Sequence, residues 1–337
     1  MNENISNIIP YKLSVREFSK EITYLDWNEG LPLPKEIEEK ILNRLRQFNL
    51  YTDPTNTLIK NSISKYTTVQ KNFIEVFNGS DSALDLAFRS LVNSKDKVLI
   101  PYPNYSQVLQ TLSFLGADII YCNVEDIETS LKKEKPKVVY LSNPNNPIGY
   151  LLNVKPIILN YPNTIFIIDE AYYEYSKLFT VFDLAQHIDN LIVTRTFSKA
   201  FGLAGVRLGY LTSNYKLLTN IRKIKNFKEI NILAEISSIE VLDNFHLIQN
   251  EINKVLNIKK QFVGALSSKV TVYPSETNFV LIESKKYEEI IRELKSNKIL
   301  VRDRSDFIKN TIRISISRFE IMKKVAEIIN RVVENEK

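Results

Sequence analysis

Three apolar runs in the chain each finish on a polar group. KVVYLS leads into NPNNPIG (Asn143 to Gly149), TIFIID leads into EAYYEY with Asp169 at the junction, and LIVTRTFS ends at Lys199 in TFSKAFGLAGVRLGY. Open α/β sheets bind ligands beyond the carboxyl ends of their strands. If these runs are strands of one sheet, an amide, a carboxylate and a lysine converge on one edge, a set suited to acid/base work. Histidine offers little to such a site. Only His187 and His246 exist, in a helix-terminal and an amphipathic helical context, so proton transfer falls to Lys, Tyr, Asp or Glu. The single cysteine, Cys122, excludes an intramolecular disulfide and a cysteine-based zinc site, and no metal centre is expected.

Short, nearly continuous apolar strands separated by helices predict an α/β fold with a mostly parallel sheet covered on both faces. The strands are expected at VLIPY, ADIIYCN, KVVYLS, TIFIID, NLIVTRTFS and RLGYLTS. Helices are expected over 35–48, from a cap near Ser80 or Asp81, and after Asn104. Residues 214–268 read as almost wholly helical, with one long helix across about 230–260. The last seventy residues alternate between strands and helices as a smaller α+β layer. The expected division is an arm over 1–34, a large domain over 35–260 and a small domain over 261–337, with the active site in the cleft between them.

With 337 residues, 44% apolar and 25% charged, the chain has ordinary globular composition. Lysine and arginine exceed aspartate and glutamate by 45 to 39, a net charge of +6. The positive charge is spread along helices, without a basic arm or a nucleic-acid-reading motif, so a small anionic ligand is expected and nucleic acid is not. No apolar stretch approaches the length of a bilayer helix, and the first twenty residues lack the apolar run of a secretory signal. A cytoplasmic protein without membrane contact is expected.

NPNNP and SKAFGLAG together resemble the class I/II aminotransferases, pyridoxal phosphate enzymes of fold type I, and most of all the histidinol-phosphate aminotransferase group. The likeness spans about Trp27 to Arg313 and implies an α/β large domain that binds the cofactor, with the N-terminal arm joining the small domain and covering the site. It implies that Lys199 forms an imine with the cofactor aldehyde and, once released, moves a proton between Cα and the cofactor carbon. Asp169 corresponds to the aspartate that keeps the pyridine nitrogen protonated, so that the ring can accept electrons. Asn146 and Tyr172 match the residues that hydrogen-bond the ring hydroxyl oxygen, and Tyr105 the aromatic that stacks on the ring. For the cofactor phosphate the resemblance implies Gly79, Ser80 and Asp81 at a helix start, Thr196 and Ser198 beside the lysine, and Arg207. Gly202 and Gly205 look like backbone permits for the tight loop. Tyr51, in LYTDP, resembles the tyrosine that reaches the phosphate of the neighbouring subunit, which implies a homodimer with shared sites.

For the substrate, Arg313 in NTIRISIS matches the arginine that binds the α-carboxylate, and Arg302 in ILVRDR a second arginine for a phosphate or carboxylate. Tyr11, Asn28 and Glu29 resemble the segment that closes over the substrate. Two places depart from the family pattern: FKEIN (Phe227 to Asn231), which sets a lysine and a glutamate near the substrate side chain, and SISRFE after Arg313. Charged substitutions in a pocket change specificity steeply. The resemblance thus implies an amino acid donor, with glutamate expected, and a small anionic, phosphorylated acceptor. The alternative is a decarboxylase of a phosphorylated amino acid, similar to threonine-phosphate decarboxylases.

Overall fold

A computed structural model describes residues 5, 8, 21–45, 48–176 and 178–335; Tyr11 lies outside them. In chain order the elements are β1 (Thr23–Leu25), α1 (Lys35–Arg44), α2 (Thr57–Thr67), β2 (Ile74–Phe77), α3 (Gly79–Leu91), β3 (Lys97–Pro101), α4 (Gln107–Leu115), β4 (Asp118–Cys122), α5 (Ile127–Glu134), β5 (Val138–Ser142), α6 (Lys155–Asn160), β6 (Ile165–Asp169), α7 (Tyr173–Ser176), β7 (Leu191–Thr196) and β8 (Gly209–Ser213). Then follow α8 (Tyr215–Ile224), α9 (Ile232–Asp243), α10 (Phe245–Ala265), β9 (Thr271–Val272), β10 (Phe279–Glu283), α11 (Tyr287–Ser296), β11 (Ile299–Asp303), β12 (Thr311–Ser315) and α12 (Phe319–Glu334).

The larger sheet has strand order β2-β8-β7-β6-β5-β3-β4, and only β8 runs against the rest. Its apolar runs are continuous because both faces are covered. Val138, Tyr140, Ile167 and Ile192 pack into one core, whereas Val139, Leu141, Phe166, Ile168 and Val193 pack into the other. Register aligns Ser142 with Asp169 and Asp169 with Thr194, so β5, β6 and β7 end side by side.

The smaller sheet has order β1-β11-β12-β10-β9. The three-residue β1 from the N-terminal segment pairs parallel with β11, so β11 lies inside the sheet and Arg302 is not on an edge strand. Behind it, α12 buries Met322, Val325, Ile329 and Val333 at helical spacing. The long helix expected across 230–260 is two helices. At Asn244 the backbone leaves helical geometry (φ −111°, ψ 34°), and its side chain donates to Glu240 O (2.9 Å) and accepts from Lys40 Nζ (2.8 Å). An asparagine amide that finds such partners competes with the helix ladder. α1 stops at Arg44, short of the expected 48, and α3 starts at Gly79 with Asn78 at the cap position. Ser80 and Asp81 therefore sit in its first turn and do not cap it.

One buried ion pair braces the strand ends. Glu170 Oε2 accepts from Arg195 Nε (2.9 Å) and Nη2 (2.8 Å), while Glu170 Oε1 accepts from Val181 N (2.9 Å). The Arg195 guanidinium carbon lies 3.7 Å from the Tyr173 ring centroid and 4.2 Å from that of Phe182. Removing one partner strands the other charge in the core. Arg195→Met is expected to cost about 3–5 kcal/mol in urea unfolding, and a loss under 1 kcal/mol would contradict this account. Among the described residues no helix is long and apolar enough to cross a membrane.

Candidate active site

Beyond the aligned ends of β5, β6 and β7, the chain brings together most of the residues singled out from the sequence. Asp169, the last residue of β6, is buried, and its carboxylate accepts from Thr194 Oγ1 (3.0 Å) and Tyr140 OH (3.3 Å). Burial outweighs these bonds and pushes its carboxyl up from 3.8 to about 7. Such a group holds its charge best beside a cation.

Lys199 follows β7 on a tight turn, where its Nζ donates to Trp27 O (2.8 Å) and lies 5.9 Å from the Tyr172 ring centroid. Burial first, and then the charge of Arg313, bring its amine down from 10.5 to about 8. A neutral, nucleophilic amine is thus accessible near physiological pH. Tyr172 OH accepts from Asn28 Nδ2 (2.9 Å) and Asn146 Nδ2 (3.4 Å). Its phenol is pushed up to about 12 by burial, against the pull of Arg313, the Asn28 hydrogen bond and Arg304.

Arg313, on β12, joins the two sheets at this point. Its Nη1 donates to Asn146 Oδ1 (2.6 Å) and its Nη2 to Asp26 O (2.7 Å). Asn28, in the left-handed region at φ 57°, donates its backbone N–H to Ser315 Oγ (2.9 Å), and Asn278 Nδ2 donates to the carbonyls of Asn28 and Glu29. Residues 26–29 are therefore laced between the smaller sheet and the ends of the larger one. Arg302 pairs with Arg313 across the β11–β12 ladder and is half-buried.

A second cluster forms an anion cup at the start of α3. Arg207, at φ 60°, donates from Nη1 to Ser198 Oγ (3.3 Å) and Ala204 O (3.1 Å), and from Nη2 to Asp81 Oδ2 (3.4 Å). Tyr105 OH donates to Asp81 Oδ1 (2.9 Å), and Thr196 Oγ1 accepts from Ser198 N (3.1 Å). Gly79 has φ +82°, and a Cβ there would stand 2.6 Å from Arg207 Nη2. The positive φ disfavours any other residue there, and a Cβ would push the guanidinium back from the N–H groups of the first turn, beside Ser80. Gly202 also needs to be glycine, at φ +67° with a Cβ falling 2.6 Å from Leu31 O, but a Cβ on Gly205 would meet nothing within 4 Å. Space does not demand the second loop glycine.

Tyr51 is not gathered into this cluster. It is 78% exposed, with Lys228 Nζ 4.4 Å from its ring centroid. In the FKEIN segment, Glu229 Oε2 accepts from Ser82 Oγ (3.2 Å) and Asn231 Oδ1 caps α9 through Ala234 N (2.8 Å). Lys228 and Glu229 thus contact Tyr51 and the first turns of α3. Asn104 was missed from the sequence. Its Oδ1 accepts from Ser142 Oγ (2.6 Å) and Tyr105 N (2.8 Å), tying the Tyr105 loop to β5; the only signal was its place beside Tyr105 in PYPNYS.

An amine at one end, a carboxylate held by hydroxyls, a phenol with an amide between them and an anion cup alongside suit an aldehyde-bearing aromatic cation with a phosphate arm. The aminotransferase class I and II profile matches residues 22–329, and the chain belongs to that family. It is a pyridoxal phosphate-dependent transaminase. Among its relatives, a dihydroxyacetone phosphate transaminase of Campylobacter jejuni is 33% identical over 99% of this chain and 98% of its own. A histidinol-phosphate aminotransferase of Methanocaldococcus jannaschii is 31% identical over 90% of this chain and 86% of its own. The fold matches that of histidinol-phosphate aminotransferase from Sinorhizobium meliloti in complex with pyridoxal-5'-phosphate, with TM-score 0.85 and 23% identity over 93% of this chain and 91% of that one.

Proposed function

We propose that the protein moves an amino group between an amino acid, with glutamate the expected donor, and a small phosphorylated oxo compound. The observation that carries this reading is the pair Arg302 and Arg313 at opposed positions of β11 and β12, with Arg313 bonded to Asn146 beside Tyr172 and Lys199. Two guanidinium groups at one cleft suit a ligand with two anionic ends. The names of the Campylobacter and Methanocaldococcus relatives, both of which act on phosphorylated compounds, support it further.

Bound pyridoxal phosphate supplies an aldehyde that condenses with amines and a cationic ring that takes up the electron pair left when a bond at Cα breaks. In this reading Lys199 Nζ would take the proton from the substrate Cα and pass it to the cofactor carbon. Asp169 holds positive charge at the ring nitrogen, Asn146 and Tyr172 bond the ring hydroxyl oxygen, and Tyr105 lies over the ring. Gly79, Ser80, Asp81, Thr196, Ser198 and Arg207 hold the phosphate. Arg313 takes the substrate α-carboxylate, with Asn28 and Tyr11 in the covering segment. The same reading makes the protein a cytoplasmic homodimer in which Tyr51 reaches the phosphate held by the partner subunit.

Arg207→Gln removes a charge-assisted donor from the cup and is expected to weaken cofactor binding about 10- to 100-fold, read by equilibrium titration of the visible absorption. Unchanged affinity would remove Arg207 from the cup. The reading as a whole is tested by offering the holoenzyme amino donors with phosphorylated ketones and following each half-reaction in the cofactor spectrum. Conversion of glutamate to 2-oxoglutarate coupled to formation of the phosphorylated amine from the ketone is the expected result. Release of CO2 from a phosphorylated amino acid without that conversion would overturn it in favour of a decarboxylase.

A further inference from the structure

Ile248, Ile252, Val255 and Phe262 are the buried residues of α10, and helical spacing puts position 259 between the last two on the same face. A lysine stands there. Its Nζ donates to the backbone carbonyls of Ser275 (2.6 Å) and Thr277 (2.7 Å), on the two sides of Glu276. An ammonium on the apolar face of a helix needs acceptors, and hydrogen bonds from a charged donor are the strong ones. One cation therefore ties the loop before β10 to α10.

That loop reaches the site on two sides. Glu276 N donates to Gly149 O (2.8 Å), and Ser275 comes so close that a Cβ on Gly149, at φ +104°, would stand 2.4 Å from Ser275 Oγ. Gly149 ends the NPNNPIG turn that carries Asn146. On the other side Asn278 Nδ2 donates to Asn28 O (3.0 Å) and Glu29 O (3.2 Å), while Ile316 N donates to Asn278 O (2.8 Å). Trp27, the residue before Asn28, supplies the carbonyl that holds Lys199. Hydrogen bonds thus run from Lys259 to the segment beside Lys199, although Lys259 itself stands on α10 outside the cleft. Burial brings the Lys259 amine down from 10.5 to about 8, against the charge of Glu276, which is the charge acting on it among the described residues. The cation is largely present at neutral pH and is lost as the pH rises through about 8.

We propose that Lys259 is a positioning residue of the transaminase, which through the 275–278 loop fixes residues 26–29 as the cover over the substrate beside Lys199. The inference rests on the reading of Asn28 as part of that cover and adds the group that holds it in place. The test compares the holoenzyme with its Lys259→Gln and Lys259→Arg variants in two measurements. Amide hydrogen exchange reads the cover directly. In Lys259→Gln the Asn28 N–H, bonded to Ser315 Oγ, is expected to exchange about 10- to 100-fold faster at fixed pH. Ile167, in the middle of β6, should keep its protection, and Lys259→Arg should stay near wild type at both positions. Steady-state kinetics with glutamate read the consequence. KM is expected to rise about tenfold in Lys259→Gln with kcat changed less than about threefold. Between about pH 7.5 and about pH 9, KM should climb more steeply for wild type than for Lys259→Arg, whose guanidinium keeps its charge throughout. Unchanged exchange at Asn28 in Lys259→Gln, a fall in kcat in place of a rise in KM, or an equal climb with pH in wild type and Lys259→Arg would each overturn the proposal. Should Lys259→Gln not accumulate as folded protein, the comparison of wild type with Lys259→Arg across pH decides alone. A wild type that leaves glutamate unreacted defeats the donor reading, and the exchange measurement still decides the role of Lys259.

Discussion

Alanine at position 199 is expected to reduce transamination by roughly 10⁴-fold or more and to remove the visible band of the lysine-bound cofactor. The size of the effect follows from the two tasks that one amine performs, bonding the cofactor and carrying the proton at Cα. No other lysine in the described site shares its position on the turn after β7, held by Trp27 O at 2.8 Å and brought by burial to about 8. Single-turnover reaction with glutamate, followed spectroscopically, reads both losses. A Lys199→Ala enzyme within tenfold of wild type would show that the amine is not the working group.

The second large effect belongs to Asp169. Exchange for asparagine keeps the shape and the contact with Thr194 but removes the charge, and the half-reaction is expected to slow by about 10²- to 10⁴-fold. A distinct signature appears in stability. In the cofactor-free protein the carboxyl sits at about 7, raised from 3.8 by burial, so between those values the folded chain keeps a proton that the unfolded chain has released. Stability from this group is fully present below about pH 4 and is lost as pH rises to about 7. The change amounts to as much as about 4 kcal/mol. Glu174, raised by burial to about 7, adds a slope of the same sign in the same window. Urea unfolding of the cofactor-free protein at pH 5 and pH 7.5 should show wild type losing more stability than Asp169→Asn. Bound cofactor, by placing a cation beside the carboxylate, should flatten the wild-type slope. Equal slopes in the two proteins would mean that Asp169 is not proton-bearing in the fold.

The larger sheet was legible because burial on both faces leaves a simple record, runs such as TIFIID and KVVYLS with little polar interruption. β2 and β1 escaped notice for the opposite reason. The first carries Glu75, whose carboxylate is held by Lys60, Arg222 and Lys225, and the second is only Thr23–Leu25; neither shows apolar periodicity. The helix break at Asn244 was hidden because it depends on Lys40, 204 positions away. Glu229 and Lys228 are similar: their residue types were plain, but their partners Ser82 and Tyr51 were set by packing.

The amino-acid order alone determined which groups stand at the strand ends and which chemistry they offer. Asn146, Asp169 and Lys199 lie where apolar runs stop, and local patterning dictates strands and their ends. Tertiary structure alone decided which backbone carbonyl holds the Lys199 amine, that β1 encloses β11, and that Arg302 and Arg313 stand opposed on one ladder with Arg313 bonded to Asn146. Those facts arise from contacts between distant segments, whose geometry depends on register and on the meeting of two sheets, and no local pattern encodes either.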